Sequence, residues 1–351
     1  MAIGARPTRE NDVTNTTRTN HETSTERPDP RRVSEVFEPP ILAQEGFVLS
    51  PEERDFFIEH GFLVKPHLVS EALLAPAMDQ VWSHMLKVVP VHPDTEWRLT
   101  RDDRSTWVNP QWDVMPPHPA SGPYQGRQPV EHYGRIVKMH DIGVEDFLLE
   151  LLPRNQHVVS VAQALLSSSL RPVTRIRGVY PVFPTRDADD PSGSRRITGR
   201  ALGPHTDEVC QQLNAVLYLE DVRPRSGGFT VYPGSHHRLF QAHTHEANYS
   251  PLPNYKETVL EILQDTTPLE LVAPRGSVIF WHGRLLHSAG IHVGEDIRWA
   301  AFADYTQDRP VLDDEEHRRL GQFEWFKDAK LFSDDSPVTA DMWRNWRLNC
   351  E

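Results

Sequence analysis

The chain has 351 residues, which suffices for one large domain or two ordinary ones. Its formal net charge of −13 at pH 7 argues against a nucleic-acid partner, because surfaces that bind a phosphate backbone are strongly positive. No apolar run approaches the ~18 residues of a membrane helix. The two cysteines, Cys210 and Cys350, do not make a disulfide framework. We therefore expect a cytoplasmic protein that does not enter the membrane.

The N-terminal segment, residues 1–45, is rich in Thr, Arg, Asn, Glu and Pro and shows hardly any apolar periodicity. Such a composition cannot bury enough surface to offset the entropy lost on ordering, so we predict a disordered arm. The arm has no apolar stretch of the kind that a secretory signal carries, so we expect no such signal in it.

A capping-box pattern opens the first predicted helix, because Ser50 is followed three residues later by Glu53. This helix should span 50–60 and lead into a strand at 62–64. Apolar residues then recur at helical spacing, which predicts a second helix over 70–86. Both helices should pack on a sheet.

Residues 88–130 are Pro-rich, irregular and studded with tryptophans. Long irregular segments in compact domains are often lids or binding loops. Our hypothesis is a substrate-covering insertion that uses Trp107 and Trp112, and a purely structural wrap is the alternative. Further along, we predict helices at 144–152 and 158–170 and a strand at 173–182.

From residue 213 onwards the chain shows short apolar runs separated by Gly and Pro turns. The predicted strands are 213–219, 229–232, 277–281 and 297–305. This series is typical of a β-sandwich or barrel. We therefore predict a mainly β fold that brings distant residues together.

Two further segments flank or interrupt these strands. An insertion at 239–268 should hold a helix near 256–263, and its His243-x-His245 pair suggests a zinc or cupin-type site. The pair lacks strand flanks and a suitably spaced carboxylate, so surface histidines are the preferred interpretation. Residues 311–351 should form a helical extension packed on the core, and its tryptophans would cap the core or make a dimer contact.

The candidate chemistry begins at His205-Thr206-Asp207. On an extended backbone residues i and i+2 point to one face, so His205 and Asp207 could share a metal ion. His287, on a distant strand, is the candidate third ligand, with His282 as its nearest rival. Two imidazoles and one carboxylate on one side of an ion are typical of non-haem Fe(II) oxygenases. A similar pair, His92-x-Asp94, lies in a stretch without strand alternation and is interpreted as a loop.

The wider pattern resembles a known family. His-x-Asp is followed by a Gly-rich turn that ends in Pro233-Gly234-Ser235-His236, then by His287 and, eleven residues later, Arg298. This order resembles the phytanoyl-CoA dioxygenase family of Fe(II)- and 2-oxoglutarate-dependent oxygenases. Residues 49–64 resemble the opening helix and first strand of that family, so the resemblance covers roughly 47–306.

The resemblance implies a double-stranded β-helix (jelly roll) core with flanking N-terminal helices and loop insertions, formed by residues 46–310. It implies that His205, Asp207 and His287 bind Fe(II), and that 2-oxoglutarate and O2 fill the remaining positions. Arg298 is expected to hold the distal carboxylate of 2-oxoglutarate, since its planar fork pairs bidentately with such a group.

Two weaker candidates for contacting 2-oxoglutarate follow from the same resemblance. Lys138 lies in an Ile-x-Lys-x-x-Asp stretch similar to one in phytanoyl-CoA hydroxylases. Several relatives carry Ser two residues after the distal histidine, where this chain has Ala289, so Ser288 is the candidate substitute. The alternative interpretation of Lys138 is a solvated lysine that precedes a helix.

The implied reaction oxidises a C–H bond of a small organic substrate and converts 2-oxoglutarate to succinate and CO2. Hydroxylation is the expected outcome, because halogenating relatives replace the carboxylate ligand by a small residue and this chain keeps Asp207. A secondary metabolite or an acyl compound is the expected substrate, and homo-oligomerisation is left open. The alternatives are a cupin-like dioxygenase or isomerase that does not use 2-oxoglutarate, and a catalytically silent jelly-roll binding module.

Overall fold

The computed structural model has a mainly β core with helices on one side. The residues that it describes are 34–38, 49–89, 96–108, 130–133, 135–167, 169–184, 203–207, 212–242, 253–306 and 308. The predicted extension 311–351 lies outside these residues. In the described part of the chain, no helix combines the length and the apolar character that crossing a membrane requires.

The helices of the described residues are short to medium in length. They are α1 (Pro51–His60), α2 (Glu71–Val88), α3 (Asp146–Leu149), α4 (Gln156–Leu166), α5 (Ser235–Ala242) and α6 (Pro253–Asp265), with 3₁₀ helices at Arg104–Trp107 and Asp141–Val144. The predicted capping box is present: Ser50 Oγ accepts from the backbone N–H of Glu53 at 3.1 Å, and Glu53 Oε2 accepts from that of Ser50 at 3.0 Å. Gly61 ends α1 with φ +80°.

The strands fall into two sheets. In chain order they are β1 (Glu35–Phe37), β2 (Phe62–Lys65), β3 (Val130–Tyr133), β4 (Ile136–Met139), β5 (Gly178–Val179), β6 (Leu213–Tyr218), β7 (Phe229–Val231), β8 (Leu269–Leu271), β9 (Val278–His282), β10 (His287–Ala289) and β11 (Ala300–Tyr305). The major sheet has the order β2-β9-β6-β11-β5-β4-β3, and the minor sheet has the order β1-β8-β7-β10. This two-sheet arrangement confirms the predicted jelly-roll fold class.

Each face of the major sheet packs against a different layer. Leu217, Phe280 and Ala301 belong to one apolar cluster with α1, α2 and α4. Val216 and Phe302, which alternate with them, belong to a second cluster that includes Val231 and Leu271 of the minor sheet. The interior between the two sheets therefore holds the alternate side chains of β6, β9 and β11.

Several sequence predictions need correction. The arm 1–45 is not disordered throughout, since Glu35–Phe37 pairs in parallel with β8 and the Phe37 ring lies 5.5 Å from that of Phe62. Aromatic packing there offsets the ordering entropy. The helix predicted at 144–152 is a 3₁₀ turn followed by the short α3, because Glu145 between them is extended.

The strand predicted at 173–182 is reduced to β5 and an isolated bridge from Val182 to Arg298. The Pro-Gly-Ser-His stretch was interpreted as a turn, but Ser235 and His236 begin α5. In the insertion 239–268, the helix predicted at 256–263 is present as the longer α6.

Candidate metal centre

His205 and His287 are joined by their backbones, although 82 residues (287 − 205) separate them. The N–H of each residue donates to the C=O of the other, at 2.9 Å in both directions. Residues that face each other in an antiparallel pair carry their side chains on the same face of the sheet. The two imidazole rings are accordingly 4.5 Å apart between centroids.

Nδ1 of each imidazole is hydrogen-bonded to a backbone carbonyl. Nδ1 of His205 lies 2.7 Å from the C=O of Gly203, and Nδ1 of His287 lies 2.9 Å from that of Leu285. A carbonyl only accepts, so each Nδ1 carries the proton and donates it. Nε2 of both rings is left as a lone-pair ligand, which is the usual arrangement of metal-binding histidines.

Burial keeps both imidazoles neutral. Burial, as the largest cause, and the neighbouring His287 together lower the pKa of His205 to about 3, against the opposing effect of Asp207. Burial also lowers the pKa of His287, against the opposing effect of Asp207. Neutral imidazoles are the form that binds a metal ion.

Asp207 supplies the third ligand atom. Its Oδ1 lies 3.8 Å from Nε2 of His287, and the ligand atoms of His205, Asp207 and His287 all lie within 4.8 Å of one another. Burial alone would raise the pKa of Asp207, but Arg177 and the two histidines hold it well below its usual value. Among the described residues, this is the single group of three such side chains that could hold a metal ion. Two neutral imidazoles and an ionised carboxylate fit Fe(II).

Arg298 lies in the interior, at the entrance to β11. Its Nε donates to the C=O of Gly227 at 2.9 Å and its NH1 to that of Tyr180 at 3.2 Å. Burial lowers the pKa of Arg298 to about 10, against the opposing effects of Tyr218 and Glu270. The guanidinium therefore stays charged at neutral pH, and two backbone contacts fix its plane.

The model of the family described as phytanoyl-CoA dioxygenase (PhyH) matches residues 196–300, which contain the three converging side chains and Arg298. This segment of the chain is therefore similar to the phytanoyl-CoA dioxygenase family. The match over this segment and the converging His-Asp-His group make the chain a non-haem Fe(II)- and 2-oxoglutarate-dependent oxygenase, a class of enzyme that uses O2.

Several solved structures are similar to this chain at low sequence identity. The non-haem alpha-ketoglutarate-dependent epimerase SnoN from nogalamycin biosynthesis is 17% identical, with 73% of this chain and 81% of that one covered and a TM-score of 0.42. AviO1 from Streptomyces viridochromogenes Tue57 is 17% identical over 74% and 96%, with a TM-score of 0.45. EctD from S. alaskensis with bound Fe is 16% identical over 80% and 83%, with a TM-score of 0.44. No curated protein sequence matches. At these similarities, no activity is transferred from any one of these proteins.

Two side chains that sequence reasoning missed hold Asp207 in this site. Arg177 pairs with both carboxylate oxygens at 3.0 Å, and Asn214 Nδ2 donates to Oδ2 at 2.8 Å. Asp304 binds Arg177 from the other side. The sequence signal was that Arg177 is a charged residue inside the predicted strand 173–182. A charge in a strand does not indicate which residue it pairs with.

The two weaker candidates for 2-oxoglutarate contact differ in placement. Lys138 alternates with Val137 and Met139, which pack on the helical side, and its Nζ lies 5.4 Å from the ring centre of Tyr180 in the interior. The positive charge of Lys138 also contributes to the lowered pKa of His205. Ser288 follows His287 in β10 and so faces the opposite side of the sheet. Strand alternation therefore argues against the contact predicted for Ser288.

The described part of the insertion 88–130 packs away from the candidate metal centre. The ring centroid of Trp107 lies 5.8 Å from that of Trp82 on α2, which lies 4.8 Å from that of Trp299. All three belong to the apolar layer on the helical side of the major sheet. Residues 96–108 thus form a structural wrap, and Trp112 lies outside the described residues.

Of the competing metal candidates, His282 lies in the described residues, and its contacts are with other groups than the metal site. His282 Nδ1 accepts from the backbone N–H of Arg284 at 3.0 Å, and its ring neighbours that of His236. His92 with Asp94 and His243 with His245 lie outside the described residues.

Proposed function

We propose that this oxygenase hydroxylates a C–H bond of a small organic substrate, with release of succinate and CO2. The observation that carries the proposal is the convergence of His205, Asp207 and His287 within 4.8 Å, with each Nδ1 held by a carbonyl. In this proposal the three side chains bind Fe(II) through the two Nε2 atoms and a carboxylate oxygen. Iron held there would activate O2 for the oxidation of 2-oxoglutarate and of the substrate C–H bond.

Arg298 anchors 2-oxoglutarate in this proposal. Its side chain is buried and charged, and in the described residues its Nε and NH1 bind backbone carbonyls. The guanidinium can still donate from NH2 to a further acceptor, and a carboxylate is the acceptor that suits an arginine best. Lys138 is proposed as a second cation facing the same interior. The two cations together would match a dianionic co-substrate.

Aromatic side chains beside His287 help to exclude water from the proposed site. The rings of Phe229 and Trp281 lie 5.2 Å and 5.4 Å from that of His287, so one side of the site is apolar. A water-poor site strengthens the electrostatic contacts of Asp207 and Arg298 and limits side reactions. Asp207 favours hydroxylation over halogenation, because a halide would need the position that its carboxylate fills.

We assign residues 46–310 to the catalytic domain, with a cytoplasmic location and a small secondary metabolite or acyl compound as substrate. The Asp207→Ala substitution removes a ligand while leaving the two histidines in place. The function is tested by a substrate panel with Fe(II), 2-oxoglutarate and O2, in which succinate is quantified for the wild type and Asp207→Ala.

We expect succinate to form in proportion to a product that gains one oxygen atom from isotopically labelled O2, and Asp207→Ala to form neither. Product without succinate would favour the cupin-like alternative. Protein that binds no Fe(II) would favour a silent jelly-roll module. Succinate with a product that gains no oxygen would replace hydroxylation by another oxidation, such as desaturation or ring formation.

A further inference from the structure

The carboxylate of Asp207 is held by more donors than a metal ligand requires. NH1 of Arg177 donates to Oδ1 and NH2 to Oδ2, each at 3.0 Å, in a parallel two-bond fork. Asn214 Nδ2 adds a third donor, to Oδ2, at 2.8 Å. All three groups are buried: Asp207 is 6% exposed, Arg177 6% and Asn214 0%. Three fixed donors leave the carboxylate no rotational freedom.

The two carboxylate oxygens of Asp207 differ in how many lone pairs they have left for a metal ion. Each oxygen of an ionised carboxylate can accept about two hydrogen bonds. In the described residues, Oδ2 accepts from Arg177 and from Asn214, so its capacity is filled. Oδ1 accepts only from Arg177 and also lies 3.8 Å from Nε2 of His287. Oδ1 is therefore the oxygen with a lone pair left for a metal ion.

Asp304 fixes Arg177 from the opposite side. Nε of Arg177 lies 2.9 Å from both oxygens of Asp304, and its NH2 makes a further short contact with Oδ1. Asp304 faces Asn214 across the β6–β11 pair, so the sheet register sets the whole arrangement. One guanidinium between two carboxylates leaves a single net negative charge, which is the charge that one ligand brings to a metal ion.

We propose that Arg177, clamped by Asp304 and assisted by Asn214, is a positioning residue that makes Asp207 bind the metal through Oδ1 alone. A carboxylate bound through one oxygen, together with two imidazoles, leaves three of six positions for 2-oxoglutarate and O2. Binding through both oxygens would leave two. The inference rests on the proposed function, because it assumes that the three side chains bind a metal ion.

The first test measures Co(II) affinity of the metal-free protein by calorimetric titration, so that activity is not the readout. Arg177→Lys keeps the charge but not the two-bond fork, and residues that orient metal ligands typically change affinity 10–100-fold. We expect Co(II) to bind roughly 10-fold more weakly to Arg177→Lys. Arg238→Lys is the matched control, since Arg238 also binds two carboxylates, those of Asp265 and Glu261, but on the surface.

A second variant guards against simple misfolding. Arg177→Met combined with Asp304→Asn removes both charges of the buried pair, so no unpaired charge is left at residue 304. Circular dichroism and thermal unfolding establish that the variant is folded. We expect weak Co(II) binding in the folded double variant as well. Affinity within twofold of the wild type in both variants would overturn the positioning role.

A third variant tests the assignment of Oδ1. Asn214→Ala frees one lone pair of Oδ2, so Asp207 gains a way to bind through both oxygens. The d–d absorption of the Co(II) protein reports coordination number and should change on this substitution, with a smaller response to added 2-oxoglutarate. An unchanged Co(II) spectrum would contradict the role of Asn214. A wild-type protein that binds no Co(II) would instead refute the proposed function itself.

Discussion

The hydroxyl of Tyr255 lies 2.8 Å from Oγ1 of Thr206, the residue between His205 and Asp207. The same hydroxyl accepts from the backbone N–H of Thr206 at 3.4 Å. Since side chains alternate along an extended backbone, Tyr255 contacts the back of the His-x-Asp segment. Tyr255 belongs to α6 and is buried beside Leu286, which immediately precedes His287. This part of the insertion 239–268 therefore supports the candidate ligands and does not cover them.

Tyr255→Phe should weaken metal binding without removing a ligand. It deletes the hydrogen bonds to Thr206 while keeping the ring in its apolar contacts, and a neutral hydrogen bond contributes about 1 kcal/mol. We expect a loss of roughly 1 kcal/mol in unfolding free energy and a several-fold weaker Co(II) affinity. Denaturant unfolding and metal titration check the two effects. Thr206→Ser is the matched control because it keeps the hydroxyl, and Thr206→Val should reproduce the Tyr255→Phe result.

Arg298→Lys should raise the KM for 2-oxoglutarate and leave metal affinity unchanged. The lysine keeps a positive charge but cannot form two parallel hydrogen bonds with a carboxylate. Hydrogen bonds to charged groups contribute about 1.5–3 kcal/mol, which corresponds to roughly a 10–100-fold change in KM. Initial rates of succinate formation at varied 2-oxoglutarate measure the effect. Arg275→Lys, at a partly buried arginine paired with Glu71, is the control. An unchanged KM would show that Arg298 does not bind the carboxylate of 2-oxoglutarate.

The sequence predicted the members of the site that stand at fixed intervals. His205 and Asp207 are two residues apart, and the resemblance to the family, with its interval of eleven residues, singled out His287 and Arg298. The partner of Asp207 could not be found in that way. Arg177 lies 30 residues before Asp207 and 127 before Asp304, and only the pairing of β11 with β5 and β6 brings the three together.

The same limit applies to the fold. Strands β6, β7 and β9 were predicted, because each is a compact apolar run bounded by turns. The strand Glu35–Phe37 was missed, because a three-residue strand has no periodicity to detect and its stability comes from pairing with β8. The 88–130 segment was interpreted from its irregularity, which does not indicate the face of the sheet on which it packs.

Trp107→Ala should reduce stability and leave substrate recognition intact. Trp107 is partly buried against Trp82, and its indole N–H donates to the C=O of Thr100 at 3.0 Å. Removing a fully packed Phe or Trp side chain costs roughly 3–5 kcal/mol, and the partial exposure of Trp107 places its cost below that range. Thermal unfolding and the KM for the substrate that the panel identifies are the two measurements. A raised KM with unchanged stability would restore the lid hypothesis.

Acidification should destabilise the fold in part through His236. Burial lowers the pKa of His236 to about 3, and the nearby His237 and His60 lower it in the same direction, while its bond to the C=O of Ile58 opposes them. Between about pH 6.5 and 3 the unfolded chain therefore binds a proton at residue 236 that the folded chain does not. Stability from this residue is complete above pH 6.5 and declines as the pH falls, by at most roughly 1.4 kcal/mol per pH unit.

His236→Gln should accordingly flatten the decline in unfolding free energy over this pH range, even though it lowers stability at neutral pH by disturbing the contact with Ile58. Denaturant unfolding at several pH values measures the slope. The exposed neighbour His237 provides the control, since His237→Gln should keep most of the slope. Buried His282 also has a pKa well below the usual value, with burial as the main cause and His236 as a neighbour, so some slope should persist in His236→Gln. A slope identical to that of the wild type would show that residue 236 takes up its proton in the folded protein.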